Sequence, residues 1–109
     1  PISFGTDSPV EDLNPWNNIY CAVTRKGLDG YPVDGFNPKE KMSLEDAIDI
    51  YTIGGAYNEL KEDFKGRLKP GYVADLIVLD KDIFTIPDDK IKDIKVEKTM
   101  IDGKFVYEK

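Results

Sequence analysis

Few side chains in this sequence can do chemistry, and their spacing narrows the kind. Asp7 closes the run Pro1-Ile2-Ser3-Phe4-Gly5-Thr6-Asp7, whose alternation of apolar and polar residues predicts a short strand. Ser8-Pro9-Val10-Glu11 follows and predicts a helix start, with Ser8 as cap, Pro9 at the first helical position and Glu11 completing a capping box. A carboxylate is thereby placed at the C-terminal end of a strand, with Gly5 permitting close backbone approach. Barrels and open α/β sheets project catalytic carboxylates from that position. The same spacing also suits a plain turn residue that helps start the Ser8 helix, and position alone leaves both readings open. The other candidates read as structural. Cys21 sits between Tyr20 and Ala22 with no histidine or glycine-rich turn beside it, as a small packed residue would. Asp75, inside an apolar run, is placed to cap a neighbouring loop, and Asp88-Asp89 and the scattered lysines read as solvated surface.

Composition excludes several classes. The chain has 109 residues, 15 basic against 21 acidic side chains, no histidine and one cysteine. Without imidazoles or a thiolate pair it lacks the ligands most zinc sites need, and it cannot assemble a Ser-His-Asp triad. It is too short for a whole (β/α)₈ barrel, which takes roughly 250 residues. A net charge of −6 and the absence of any basic patch interleaved with aromatics argue against nucleic-acid binding. No apolar run approaches the about 20 residues of a membrane span, and no signal peptide is visible. The single cysteine forms no internal disulfide, so the expectation is a soluble protein of the reducing cytoplasm with no membrane partner.

The elements that would position these residues follow from caps and periodicity. The Ser8 helix can run only about a turn, because Asn14-Pro15 supplies a second cap and first position. Trp16, Ile19, Tyr20 and Val23 then form one apolar stripe, with Arg25 and Lys26 in the last turn and Gly27 as the stop. Leu28 to Met42 reads as a loop. Ser43-Leu44-Glu45-Asp46 opens a second helix with the stripe Leu44, Ala47, Ile48 and Tyr51. Gly54-Gly55 predicts close backbone packing or a break, with a further short helix through about Glu62. Beyond Lys69-Pro70-Gly71, the run Tyr72 to Asp80 reads as a central strand covered on both faces. Asp102-Gly103 between two β-rich runs, Val96–Ile101 and Lys104–Tyr107, predicts a hairpin. The chain divides near Gly66 into a helical first part and an all-β second part.

In order along the chain, Gly5-Thr6-Asp7-Ser8-Pro9-Val10, Asn14-Pro15-Trp16, Ala22-Val23-Thr24-Arg25, Leu44-Glu45-Asp46-Ala47, Tyr51-Thr52 and Gly55-Ala56-Tyr57 resemble the C-terminal quarter of the amidohydrolase superfamily. The branch they resemble is amidohydrolase family 3, whose members include proteins labelled YtcJ-like or exoenzyme-regulatory. Gly66-Arg67-Leu68, Pro70-Gly71, Ala74 to Asp80 and Val106-Tyr107-Glu108 resemble its closing β-domain.

The resemblance implies an α+β fragment: residues 1–66 hold the last strand and helices of a (β/α)₈ barrel, and residues 67–109 the C-terminal strands of the accompanying small β-sandwich. It implies a parent that hydrolyses non-peptide carbon–nitrogen bonds of small amide-type substrates with a metal-activated water, the divalent metal expected to be zinc. Asp7 would lie at the end of the eighth barrel strand as both metal contact and proton carrier. The histidines and the bridging lysine or carboxylate of such a site are missing here, so the fragment alone is expected to hold no metal and to be inactive. Cut from its barrel it would expose apolar surface and self-associate. The alternative is a non-catalytic binding or regulatory module related to exoenzyme regulation.

Overall fold

The computed structural model describes all 109 residues. Three helices and one three-stranded antiparallel sheet make up its regular structure: α1 Pro15–Thr24, α2 Leu44–Tyr51, α3 Ile53–Asn58, β1 Leu76–Leu79, β2 Val96–Ile101 and β3 Lys104–Glu108, with short 3₁₀ turns at Pro38–Glu40 and Asp88–Asp93. The chain is thus a small α+β unit.

α1 begins where its cap dictates. The Asn14 side chain accepts the Trp16 N–H at 3.0 Å, and Pro15, which has no N–H to leave unsatisfied, takes the first position. Its end differs from expectation. The helix stops at Thr24, and Arg25 rather than Gly27 adopts the left-handed conformation, φ 59°. Two bonds to the following loop explain this. The Phe36 N–H donates to the Arg25 carbonyl at 2.7 Å and Arg25 Nε donates to the Phe36 carbonyl at 2.9 Å, which draws the chain out of the helix. The Leu28–Met42 loop therefore wraps the C-terminal end of α1. A Cβ on Gly35 would overlap the Thr24 carbonyl oxygen there.

α2 is capped as read, with Ser43 Oγ accepting the Asp46 N–H at 3.1 Å and Glu45 and Asp46 in the first turn. The expected break comes two residues earlier than Gly54, at Thr52, so both glycines lie inside α3. Close backbone packing is found at only one of them. A Cβ on Gly54 would overlap the carbonyl oxygen of Ile2, whereas one on Gly55 would meet nothing within 4 Å.

Three expectations are corrected. The opening run is not a strand: residues 2–6 make no backbone-to-backbone hydrogen bond, because no other strand lies beside them. The Ser8 helix is a turn, closed by Val10 N–H onto the Asp7 carbonyl at 2.9 Å, and the Ser8–Glu11 capping box does not form. Finally, β1 is shorter than Tyr72 to Asp80 and lies at a sheet edge, with β2 central, so Ile77 and Val78 are exposed rather than covered. The hairpin forms at Asp102-Gly103 with both residues at positive φ. Asp75 has the structural role expected of it, its carboxylate accepting the Asp102 N–H at 2.8 Å.

The core joins residues from both sides of Gly66. The α1 stripe of Trp16, Ile19, Tyr20 and Val23 packs with Ala47 of α2 and with Ile83, Ile91 and Ile94. Asp88 and Asp89 are exposed, as expected for solvated charge, but Ile91 in the same 3₁₀ turn is fully buried against the core. Of the expected α2 stripe only Ala47 is buried; Leu44, Ile48 and Tyr51 are half-buried against the cluster.

Candidate functional site

Asp7 is exposed and has a φ of 54°, in the left-handed region. A short polar side chain tolerates that conformation better than most, yet a non-glycine residue there carries strain of a kind that clusters at functional sites. Its backbone carbonyl closes the turn to Val10, while its carboxylate takes part in no hydrogen bond or ion pair. The carboxylate thus stands free at the tip of the turn.

The segment that carries it is held by side chains alone. Phe4 is half-buried against the core and meets the Tyr51 ring edge to face, centroids 5.6 Å apart. Asn18, on α1, donates from Nδ2 to the Gly5 carbonyl at 3.1 Å and to the Tyr51 hydroxyl oxygen at 2.8 Å. Asn58 Nδ2 donates to Ser3 Oγ at 2.9 Å, and Ile2 passes directly over Gly54. All three helices thus hold residues 2–5. Gly5 does not serve the expected close approach, since a Cβ there would meet nothing within 4 Å.

Asp7 has no companion. No group of three or more His, Cys, Asp or Glu side chains is placed to hold a metal. One exposed carboxylate supplies too few donors for a zinc site, so the residues of this chain do not by themselves fit the metal that the resemblance implies. The other titratable groups do not add to the site. Burial of the Cys21 thiol, and then the nearby Glu11 carboxylate, push its pKa up, which keeps it protonated and poorly nucleophilic. It borders a hollow of about 300 Å³ with Phe4, Asn18, Ala22 and Arg25 and is exposed on α1 outside the core cluster, which corrects the expectation of a packed residue. The Lys95 N–H, bonded to Asp80 at 3.0 Å, and then the Lys81 ammonium hold the Asp80 carboxyl below the ordinary aspartate range; this is a strand-end clasp and not a site.

Two grooves flank β1. One of about 310 Å³ is lined by Trp16, Ile19, Ile48, Tyr51, Ile77 and Leu79 among others, and one of about 350 Å³ by Lys65, Arg67, Asp75 and neighbours. Neither includes Asp7. Reading the sequence missed the Asn18 clamp. Asn18 lies beside the apolar stripe with no distinguishing neighbour, and Tyr51 was read only as core.

Residues 1–107 match the family model described as "Amidohydrolase family". The chain is 36% identical over 105 residues to YtcJ of Bacillus subtilis strain 168, whose name proposes an amidohydrolase, covering 96% of this chain and 20% of that protein. It is 28% identical over 108 residues to the N-substituted formamide deformylase of Arthrobacter pascens, covering 99% and 19%. It is 32% identical over 108 residues to the protein LONG AFTER FAR-RED 3 of Arabidopsis thaliana, covering 97% and 18%. No solved structure matches. The chain spans about a fifth of the length of these relatives. By a match over nearly its whole length, the chain belongs to the amidohydrolase family.

Proposed function

We propose that these residues form the C-terminal part of a longer enzyme that hydrolyses non-peptide carbon–nitrogen bonds, and that Asp7 is its proton carrier. The observation that carries the reading is the placement of Asp7. It ends a segment whose backbone groups at residues 2–6 have no strand partner and whose burial alternates, with Phe4 and Thr6 half-buried and Ser3, Gly5 and Asp7 exposed. This pattern supports reading the segment as a strand whose neighbours would belong to the remainder of the longer protein. Alternate residues of such a strand face the surrounding helices or the barrel interior, and Asp7 continues the exposed series of Ser3 and Gly5.

The chemistry follows from the group. Water attacks the carbonyl carbon of a small amide, Asp7 accepts the proton it loses, and the same carboxyl returns that proton to the departing nitrogen as the C–N bond breaks. The products are a carboxylic acid and an amine, and the carboxylate is regenerated. The formamide named for the Arthrobacter relative suggests the substrate class, an N-substituted amide. A divalent metal such as zinc belongs to this reading only with donors from the remainder of the full-length protein, so the 109 residues alone are inactive.

The exposed apolar surface supports the same view. Eighteen large hydrophobic residues are exposed, among them Ile2, Leu13, Ile77, Phe105 and Tyr107, against nine hydrophobic residues in the buried core. Alone in solution the chain self-associates through this surface, which sedimentation reads directly; a monodisperse monomer removes this support.

The decisive experiment compares full-length wild type with Asp7→Asn on a panel of N-substituted formamides and acetamides. Wild type is expected to turn over at least one, and the variant to lose about 10²-fold or more in kcat. Undiminished turnover by Asp7→Asn overturns the role of Asp7.

A further inference from the structure

We infer that Asn18 is a positioning residue for the reaction: its amide group, braced by the Tyr51 hydroxyl, fixes the backbone at Gly5 and through it the carboxylate of Asp7. The inference rests on the reading of Asp7 above and adds residues that the reading does not name.

The geometry leaves the amide one orientation. The Gly5 carbonyl can only accept, so the Asn18 atom 3.1 Å from it is the nitrogen. The same nitrogen lies 2.8 Å from Tyr51 Oη, which makes the phenol the second acceptor. Both N–H bonds of one planar group are thus committed, one to the chain two residues before Asp7 and one to α2. The ring of Tyr51 adds a second constraint, meeting Phe4 edge to face on the same segment. Residues 2–6 have no backbone pairing within the chain, so this clamp and the Asn58–Ser3 bond carry their hydrogen-bonded attachment to the helices.

The Asp7 turn is in the left-handed region, and its side chain makes no local hydrogen bond to hold it there. Its direction therefore depends on where residue 5 is anchored. A shift of about 1 Å in a reacting group can cost on the order of 100-fold in rate. The clamp contributes no atom to the reaction and acts through the position of Asp7.

The test uses the full-length protein with Asn18→Asp, Asn18→Ala, Tyr51→Phe and, for reference, Asp7→Asn. Asn18→Asp keeps the shape and removes the donors, and Tyr51→Phe keeps the ring contact and removes one acceptor. On an amide that wild type hydrolyses, Asn18→Asp and Asn18→Ala are expected to lower kcat about 10- to 100-fold with KM within about threefold, and Tyr51→Phe to lower it less. Hydrogen exchange at the amides of residues 3–7 is expected to accelerate in all three clamp variants while the hairpin of β2 and β3 stays protected. Unchanged kcat in both Asn18 variants alongside a dead Asp7→Asn overturns the inference, as does a loss confined to KM. If Asp7→Asn keeps full activity, the reading of Asp7 falls instead, and unchanged exchange at residues 3–7 would separately refute the clamp.

Discussion

Adjacent glycines in one short helix should respond in opposite directions to the same substitution. Gly54 and Gly55 both lie in α3, and alanine is favoured over glycine inside a helix by up to about 1 kcal/mol. At Gly55 the added methyl meets nothing within 4 Å, so Gly55→Ala is expected to stabilise by about 0.5–1 kcal/mol. At Gly54 the methyl overlaps the Ile2 carbonyl oxygen, and the N-terminal segment must move off the helix. What is then lost can be counted. The Asn18–Gly5 bond is worth about 1 kcal/mol, the exposed Asn58–Ser3 bond less. The Phe4–Tyr51 ring pair adds about 0.5–1.5 kcal/mol. The total of about 2–3 kcal/mol exceeds the propensity gain, so Gly54→Ala is expected to destabilise by about 1–2 kcal/mol. At roughly 4–8 °C per kcal/mol, thermal melts followed by circular dichroism should place the two variants on opposite sides of wild type. Equal stabilisation by both substitutions would refute the claim that the segment is seated on α3.

Two further perturbations address the second half of the chain. Ile91→Ala removes a fully buried side chain from the 3₁₀ turn that packs on α1 and should cost about 2–5 kcal/mol in urea unfolding, whereas a cost below about 0.5 kcal/mol would show that the turn is not part of the core. Because the folded state lowers the Asp80 pKa, that carboxylate contributes stability above the ordinary aspartate range and loses it as pH falls through the depressed folded value. The stability difference between wild type and Asp80→Asn should therefore be constant near neutrality and shrink on acidification; a difference independent of pH down to strongly acidic solution would refute the clasp.

The elements that the sequence predicts well are those whose determinants are local. Asn14 with Pro15, and Ser43 with its two following acids, satisfy helix N–H groups within three residues, so α1 and α2 begin where they were read. Asp102-Gly103 supplies two left-handed residues in the place where a tight hairpin needs them. Features set by distant partners were misread. The end of α1 depends on Phe36, eleven residues beyond Arg25. Whether β1 is central or an edge depends on which strands flank it, and its apolar run is the same in either case. Ile91 and Ile94, three apart, both reach the core from a 3₁₀ turn and its cap, a period hidden among the charges from Asp88 to Asp93.

Asp7 shows the same division within the candidate site. The alternation from Ile2 to Asp7 is a statement about faces, and from Ser3 onward it survives in the half-burial of Phe4 and Thr6 against the exposure of Ser3, Gly5 and Asp7, whereas Ile2 is exposed. Strand pairing is a separate matter, since it requires a neighbour to take up the backbone groups, and within these residues there is none. A segment can therefore hold a strand's facing without a strand's bonds, provided side chains seat one face. Phe4 against Tyr51 and Asn18 against Gly5 do this here, between residues separated by up to 47 positions. Such contacts leave no periodic trace, because each is a single polar or aromatic residue inside an element whose pattern is already explained by its own core stripe. The segment leading to the carboxylate that spacing singles out is thus seated by residues that spacing does not single out.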